Sequence, residues 1–129
     1  MKNMYYICSP YKDADKFKMV CNQYRAKGFC EEIEELVPDC KAVAPHAWLP
    51  NLLDDTIPEQ REIAIKFGLD LLSLCQYLVI CGDEKIKVTE GMRNEIAFAR
   101  KNGIKILHYK GGQLYENKPE ENDYWNLVL

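Results

Sequence analysis

Apolar residues fall in short runs along this chain, separated by polar stretches that carry a helical period. "MYYIC" at 4–8 is an apolar and aromatic run that stops at Ser9-Pro10, as a buried strand entering a turn does. A helix is predicted from Asp13 or Asp15, because Phe17, Val20, Cys21 and Tyr24 recur at three- and four-residue steps and Gly28 ends the run. The acidic "CEEIEELVPDC" reads as a short exposed helix stopped at Pro38, "KAVAP" at 41–45 as a second strand, and "HAWLPNLLDDTIPEQ" as a proline-marked loop. Residues 58–74 form a long predicted helix, with Pro58 in its first turn and Ile63, Phe67, Leu71 and Leu74 on one stripe. "YLVIC" at 77–81 is the unbroken apolar run of a central strand covered on both faces. A polar loop and the helix opened by "TEGMRNEIAFA" follow, then the stop signal Asn102-Gly103 and a fourth strand, "IKILHY" at 104–109. The tail from Gly111 is polar and turn-rich until "DYWNLVL", whose apolar side chains require something to pack on.

Strands and helices thus alternate, which predicts a three-layer α/β domain with a mainly parallel sheet. Ligands of such sheets bind beyond the carboxyl ends of the strands. Two loops qualify, "SPYKDAD" after the first strand and "GDEKIKVTEGM", opened by Gly82, after "YLVIC". With 129 residues, the chain fits a single domain, 1–129, that needs neither disulfides nor metal to hold its core. The net charge of -3 is spread along the chain without a basic stripe, which argues against duplex nucleic acid as a partner but not against a small anionic ligand.

The N-terminal apolar run is too short for a signal peptide or a membrane span. The six cysteines include no CxxC pair; Cys8, Cys21, Cys75 and Cys81 sit in apolar segments, where a free thiol acts as a small hydrophobe. A reducing cytoplasm is therefore expected. His46 and His108 lie at no ligand spacing from a cysteine, so neither a metal site nor a cofactor is expected.

The "TEGMRNEIAFA" helix carries the most unusual residue. At about 100° per residue, Met92, Ile96 and Ala99 share one face, and Glu95 projects inside their apolar arc. An unpaired carboxylate there would be costly, so Glu95 either pairs with a basic side chain or lines a site. Thr89 is suited to cap this helix and Gly91 to allow close approach of a ligand to the backbone, and the amides of the first turn, around Met92, form an anion-binding position. Glu95 lies about one turn, roughly 5 Å, further along.

"YICSPY", "VAPHAWLP" and "LVICGD…VTEGMRNEIAFARKNGIKI", in order over roughly residues 4 to 108, resemble the nucleoside 2-deoxyribosyltransferase-like proteins, especially their small uncharacterised phage and bacterial branch. The resemblance implies a doubly wound, Rossmann- or flavodoxin-like domain of four or five strands, acting as a homo-oligomer on the N-glycosidic bond of nucleosides or their 5′-monophosphates. It implies Glu95, four residues after Gly91, as the nucleophile that attacks the anomeric carbon, and Tyr6 as the residue that orients it. Thr89 stands where nucleoside-specific members carry an aspartate and monophosphate-specific members a serine, which favours a phosphorylated ligand. The chain departs from the family at the acidic residue of the preceding helix: Gly68 holds that position, and Asp70, two residues on, falls in the same arc as Ile63, Phe67 and Leu74 and is the candidate to face the site as the second catalytic acid.

Other candidates have a plain structural reading beside the functional one. Ser9 suits a ligand-binding turn or an ordinary one. Tyr11 covers the ligand or packs on Trp48, and His46 hydrogen-bonds a base or serves its own loop. Arg61 and Arg93 meet a phosphate or are solvated helix charges. Two functions from different classes follow, a glycosidase or transferase working through Glu95, and a non-catalytic nucleotide-binding or sequestering module, of phage origin in that reading.

Overall fold

Alternate residues of the first strand face opposite sides, and all four from Tyr5 to Cys8 are buried. That strand, β1 (Asn3–Cys8), lies inside a five-stranded sheet in the computed structural model, which describes residues 2–82 and 88–116. The remaining elements are α1 (Lys16–Leu36), β2 (Cys40–Val43), α2 (Pro45–Trp48) continued by a 3-10 turn (Leu49–Asn51), α3 (Pro58–Ser73), β3 (Tyr77–Cys81), α4 (Glu90–Lys101), β4 (Lys105–Lys110) and β5 (Gln113–Glu116). The strand order is β2-β1-β3-β4-β5, parallel except for β5. Tyr5 and Tyr77, partners in the β1–β3 register, stack their rings 4.5 Å apart.

Tyr5, Ile7, Val79 and Cys81 enter a core completed by Ala26, Cys30 and Ile33 of α1. Tyr6, Cys8, Leu78 and Ile80 enter a second one with Leu72 of α3 and Met92, Ile96 and Ala99 of α4. The uninterrupted apolar spelling of β1 and β3 follows from this double coverage. No helix among the described residues is long and apolar enough to cross a membrane.

Several sequence expectations are corrected. The helix expected to end at Gly28 starts after the Asp15 cap, whose carboxylate accepts from the Phe17 amide at 2.8 Å, and continues to Leu36, absorbing the acidic stretch. Its core face is Ala26, Cys30 and Ile33; Phe17, Val20 and Tyr24 are exposed, and so is Cys21, while Cys30 and Cys40 are buried. A mid-helix glycine costs about 1 kcal/mol relative to alanine, which burial of that face offsets. On α3, Ile63 and Phe67, with Leu74 at the C-cap, are likewise exposed; Leu71 of the expected stripe packs partly buried against the core, and Gly68 and Leu72 are inside. Apolar residues surround this helix, so its periodicity does not select a face. "PHAW" is a helical turn rather than a loop, with Pro45 at its start. After β4 the chain reverses through Gly111 and Gly112, at φ 58 and 78, into β5, a fifth strand within the segment read as a polar, turn-rich tail. Paired positive φ angles are what a two-residue hairpin needs for its twist to match the strands. "DYWNLVL" lies outside the described residues.

Candidate functional site

A pocket of about 460 Å³ opens beyond the carboxyl ends of β1 and β2, against α3 and the first turns of α4. It lies where the strand order turns back between β1 and β3, the usual ligand position in a parallel sheet. β1 contributes Tyr6 and, just past its end, Ser9. The segment after β2 contributes Pro45 and His46, α3 contributes Gly68 and Arg61, and the cap and first turns of α4 contribute Thr89 to Met92, Asn94 and Glu95.

The Tyr6 hydroxyl donates to Glu95 Oε2 across the wall of this pocket. Both residues are placed by regular structure, since Tyr6 and Cys8 are same-face residues of β1 and Glu95 stands one turn into α4. Burial pushes the Glu95 carboxyl up to about 7, against the opposing pull of hydrogen bonds from Tyr6 and the Cys8 thiol. Burial and then the charge of Glu95 push Tyr6 well above the usual phenol range, so it remains a protonated donor. Among the described residues the hydrogen-bond partner of Glu95 Oε2 is a phenol and not a basic side chain.

Thr89 caps α4 as its position in sequence implied. Its Oγ1 accepts from the Met92 amide at 3.2 Å, and its carbonyl from the Arg93 amide at 3.0 Å. The amides of Glu90 and Gly91 precede the intrahelical ladder, so they point out of the helix end. Glu90 in the first turn and Arg100 and Lys101 in the last match the helix dipole. Among the described residues a Cβ at Gly91 would meet only Thr89 Oγ1, at 3.9 Å, so packing against them does not demand a glycine there.

Ser9 is buried, with Oγ 3.0 Å from His46 Nε2. Burial pushes His46 down to about 4, leaving a neutral imidazole at physiological pH. Tyr11 lies against this imidazole, ring centres 5.6 Å apart, and Trp48 is exposed. Arg61 lines the pocket; Arg93 is exposed and does not line it. Gly82 follows β3 and is partly buried without lining the pocket, and residues 83–87 of the loop it opens lie outside the described ones.

The expectation that Asp70 faces the site is overturned. Asp70 is exposed and ion-paired with Lys66 at 3.0 Å, one helical turn back on α3. Gly68 faces the site instead, and a Cβ there would stand 3.3 Å from the Tyr6 hydroxyl. Sequence reasoning passed over Asn94 and the Lys12–Asp55 ion pair, 3.2 Å long, which also line the pocket. Asn94 was legible as a neighbour of Glu95; Lys12 and Asp55 belong to separate loops with no shared pattern.

A family model described as a domain of unknown function, DUF7768, matches residues 3–109. The chain belongs to the DUF7768 family. The matched region runs from β1 into β4 and includes every described residue of the DUF7768 pocket. Comparison with curated proteins finds no match.

Proposed function

We propose that this DUF7768 domain binds a nucleoside 5′-monophosphate or related nucleotide and cleaves its N-glycosidic bond, or transfers its deoxyribosyl group, through Glu95. The observation that carries this reading is the Tyr6–Glu95 hydrogen bond in the wall of a pocket that also receives the N-terminus of α4. The resemblance of "VTEGMRNEIAFARKNGIKI" to nucleoside 2-deoxyribosyltransferase-like proteins supports it.

The ionised Glu95 attacks C1′ of the sugar and forms a glycosyl ester, which water or a second base resolves. Tyr6 keeps its proton and holds the carboxylate in line. The phosphate rests on the first turn of α4. There Thr89 accepts from Met92 with its oxygen and has its hydroxyl proton left for a phosphate oxygen. Gly91 opens the approach to the backbone amides, and Ser9, His46 and Tyr11 flank the base. The layout this implies is a three-layer, doubly wound, flavodoxin-like fold, with the nucleotide at its switch point. The same reading places the protein in a reducing cytoplasm as a homo-oligomer, for which the exposed Phe17, Tyr24 and Phe67 offer apolar surface.

A second reading, a silent nucleotide-binding or sequestering module, is favoured by Gly68, which leaves α3 without a carboxylate at the pocket. Incubation with each deoxynucleoside monophosphate, with free base followed by chromatography, separates the two. Release by the wild type that disappears in Glu95→Ala is expected. Release surviving the substitution removes this mechanism, and tight binding without release supports the module.

A further inference from the structure

Among the described residues, the pocket lining offers little means of protonating a departing base. Gly68 fills the wall facing the Tyr6 hydroxyl, and the Tyr6 proton is engaged by Glu95. His46 is an uncharged imidazole, with burial pushing it down to about 4. Asp55 is taken up by Lys12 at 3.2 Å. Tyr11 is a phenol, made a weaker acid by burial and by the nearby charge of Asp55. Glu90 lines the pocket from the first turn of α4, beside the place the reading above gives to the phosphate rather than the base.

A neutral base departs slowly unless its nitrogen is protonated as the bond breaks. A base already quaternised at the glycosidic nitrogen, or elsewhere in a conjugated ring, takes up the bonding electrons and departs as a neutral molecule. The lining also suits positive charge. Tyr11 and His46 present rings tilted by 31° beside Asp55, and aromatic faces attract cations. Among the described charged side chains of the pocket, Asp55, Glu90 and Glu95 are acidic, and Lys12 and Arg61 are basic.

We propose that this pocket selects nucleoside 5′-monophosphates whose base is a cationic, N-quaternised heteroaromatic ring, such as a pyridinium, over those with neutral bases. The proposal rests on the glycosidase reading above. Glu95 Oε forms a bond to C1′ as the C1′–N bond breaks, and its electron pair cancels the positive charge of the ring. Water then displaces Glu95 from C1′, so the net products are the sugar 5-phosphate, the neutral base and one proton released to solvent.

The test supplies nicotinamide mononucleotide and 7-methylguanosine 5′-monophosphate in parallel with AMP, GMP, CMP, UMP and their deoxy counterparts, and quantifies free base by chromatography. General-acid assistance contributes about 100-fold or more where a neutral base needs it. A cationic substrate is therefore expected to exceed every neutral one in kcat/KM by about that factor, and Glu95→Gln to abolish the release. Neutral bases released as fast as cationic ones, in a Glu95-dependent way, would overturn the selectivity and leave the glycosidase reading standing. No release from any substrate would overturn both.

Discussion

Replacing Glu95 by glutamine removes the charge and keeps the shape, with an oxygen that still accepts from Tyr6. Burial lifts this carboxyl from its ordinary 4.5 to about 7, so across that interval the folded protein holds a proton that the unfolded chain has already lost. Stability therefore falls as pH rises through the window, the reverse of the behaviour of a salt-bridged acid. At about 1.4 kcal/mol per unit, a carboxyl moved from 4.5 to about 7 weakens the fold by about 3 kcal/mol once it is ionised in both states. Glu95→Gln escapes that cost. Its advantage over the wild type, measured by denaturant melts, is expected to grow by about 2 kcal/mol or more between pH 5 and pH 8.5. The corresponding gain in Tm at the higher pH is on the order of 10 °C for a domain of this size. Any packing change introduced by the amide contributes equally at both pH values, so the pH dependence isolates the charge. A difference that stays flat with pH, or a glutamine variant that loses ground as pH rises, would refute the assignment of Glu95 as a desolvated carboxyl.

Two further substitutions probe the helix end and the neighbouring helix. Thr89→Ala removes the cap on the Met92 amide and is expected to cost about 1 kcal/mol of stability. In calorimetric titration it should weaken binding of a nucleoside monophosphate more than that of the free nucleoside. Asp70→Ala breaks only an exposed ion pair with Lys66. It is expected to change stability by less than about 0.5 kcal/mol and to leave nucleotide affinity unaltered in the same titration; a marked loss of affinity would restore Asp70 to the site.

What was legible in the sequence follows from where burial is two-sided and where capping is local. β1 and β3 are readable because coverage on both faces makes every position apolar. α4 is readable because Met92, Ile96 and Ala99 form its one buried stripe, and Thr89 caps it within three residues. Glu95 stood out for the same reason, as a carboxylate inside that stripe. The buried faces of α1 and α3 are hard to read because large apolar residues, Phe17 and Tyr24 on one and Ile63 and Phe67 on the other, face outward, while small residues such as Ala26 and Gly68 are among the buried ones. Periodicity weighs side chains by hydrophobicity and cannot register that a close approach selects for smallness. The pairing of Lys12 with Asp55, and of Ser9 with His46, depends on loops brought together only by the sheet.

Tyr6 and Glu95 are 89 residues apart along the chain, and this separation has a bearing on how the protein matures. A hydrogen bond that closes so large a loop is available only after the intervening strands and helices have been organised, because the entropy of closure must first be met by shorter-range contacts. During synthesis the first strand emerges with its tyrosine, but the carboxylate arrives only when most of the domain has been made. The hydrogen-bonded pair is therefore completed late, and fragments ending before α4 would contain half of it.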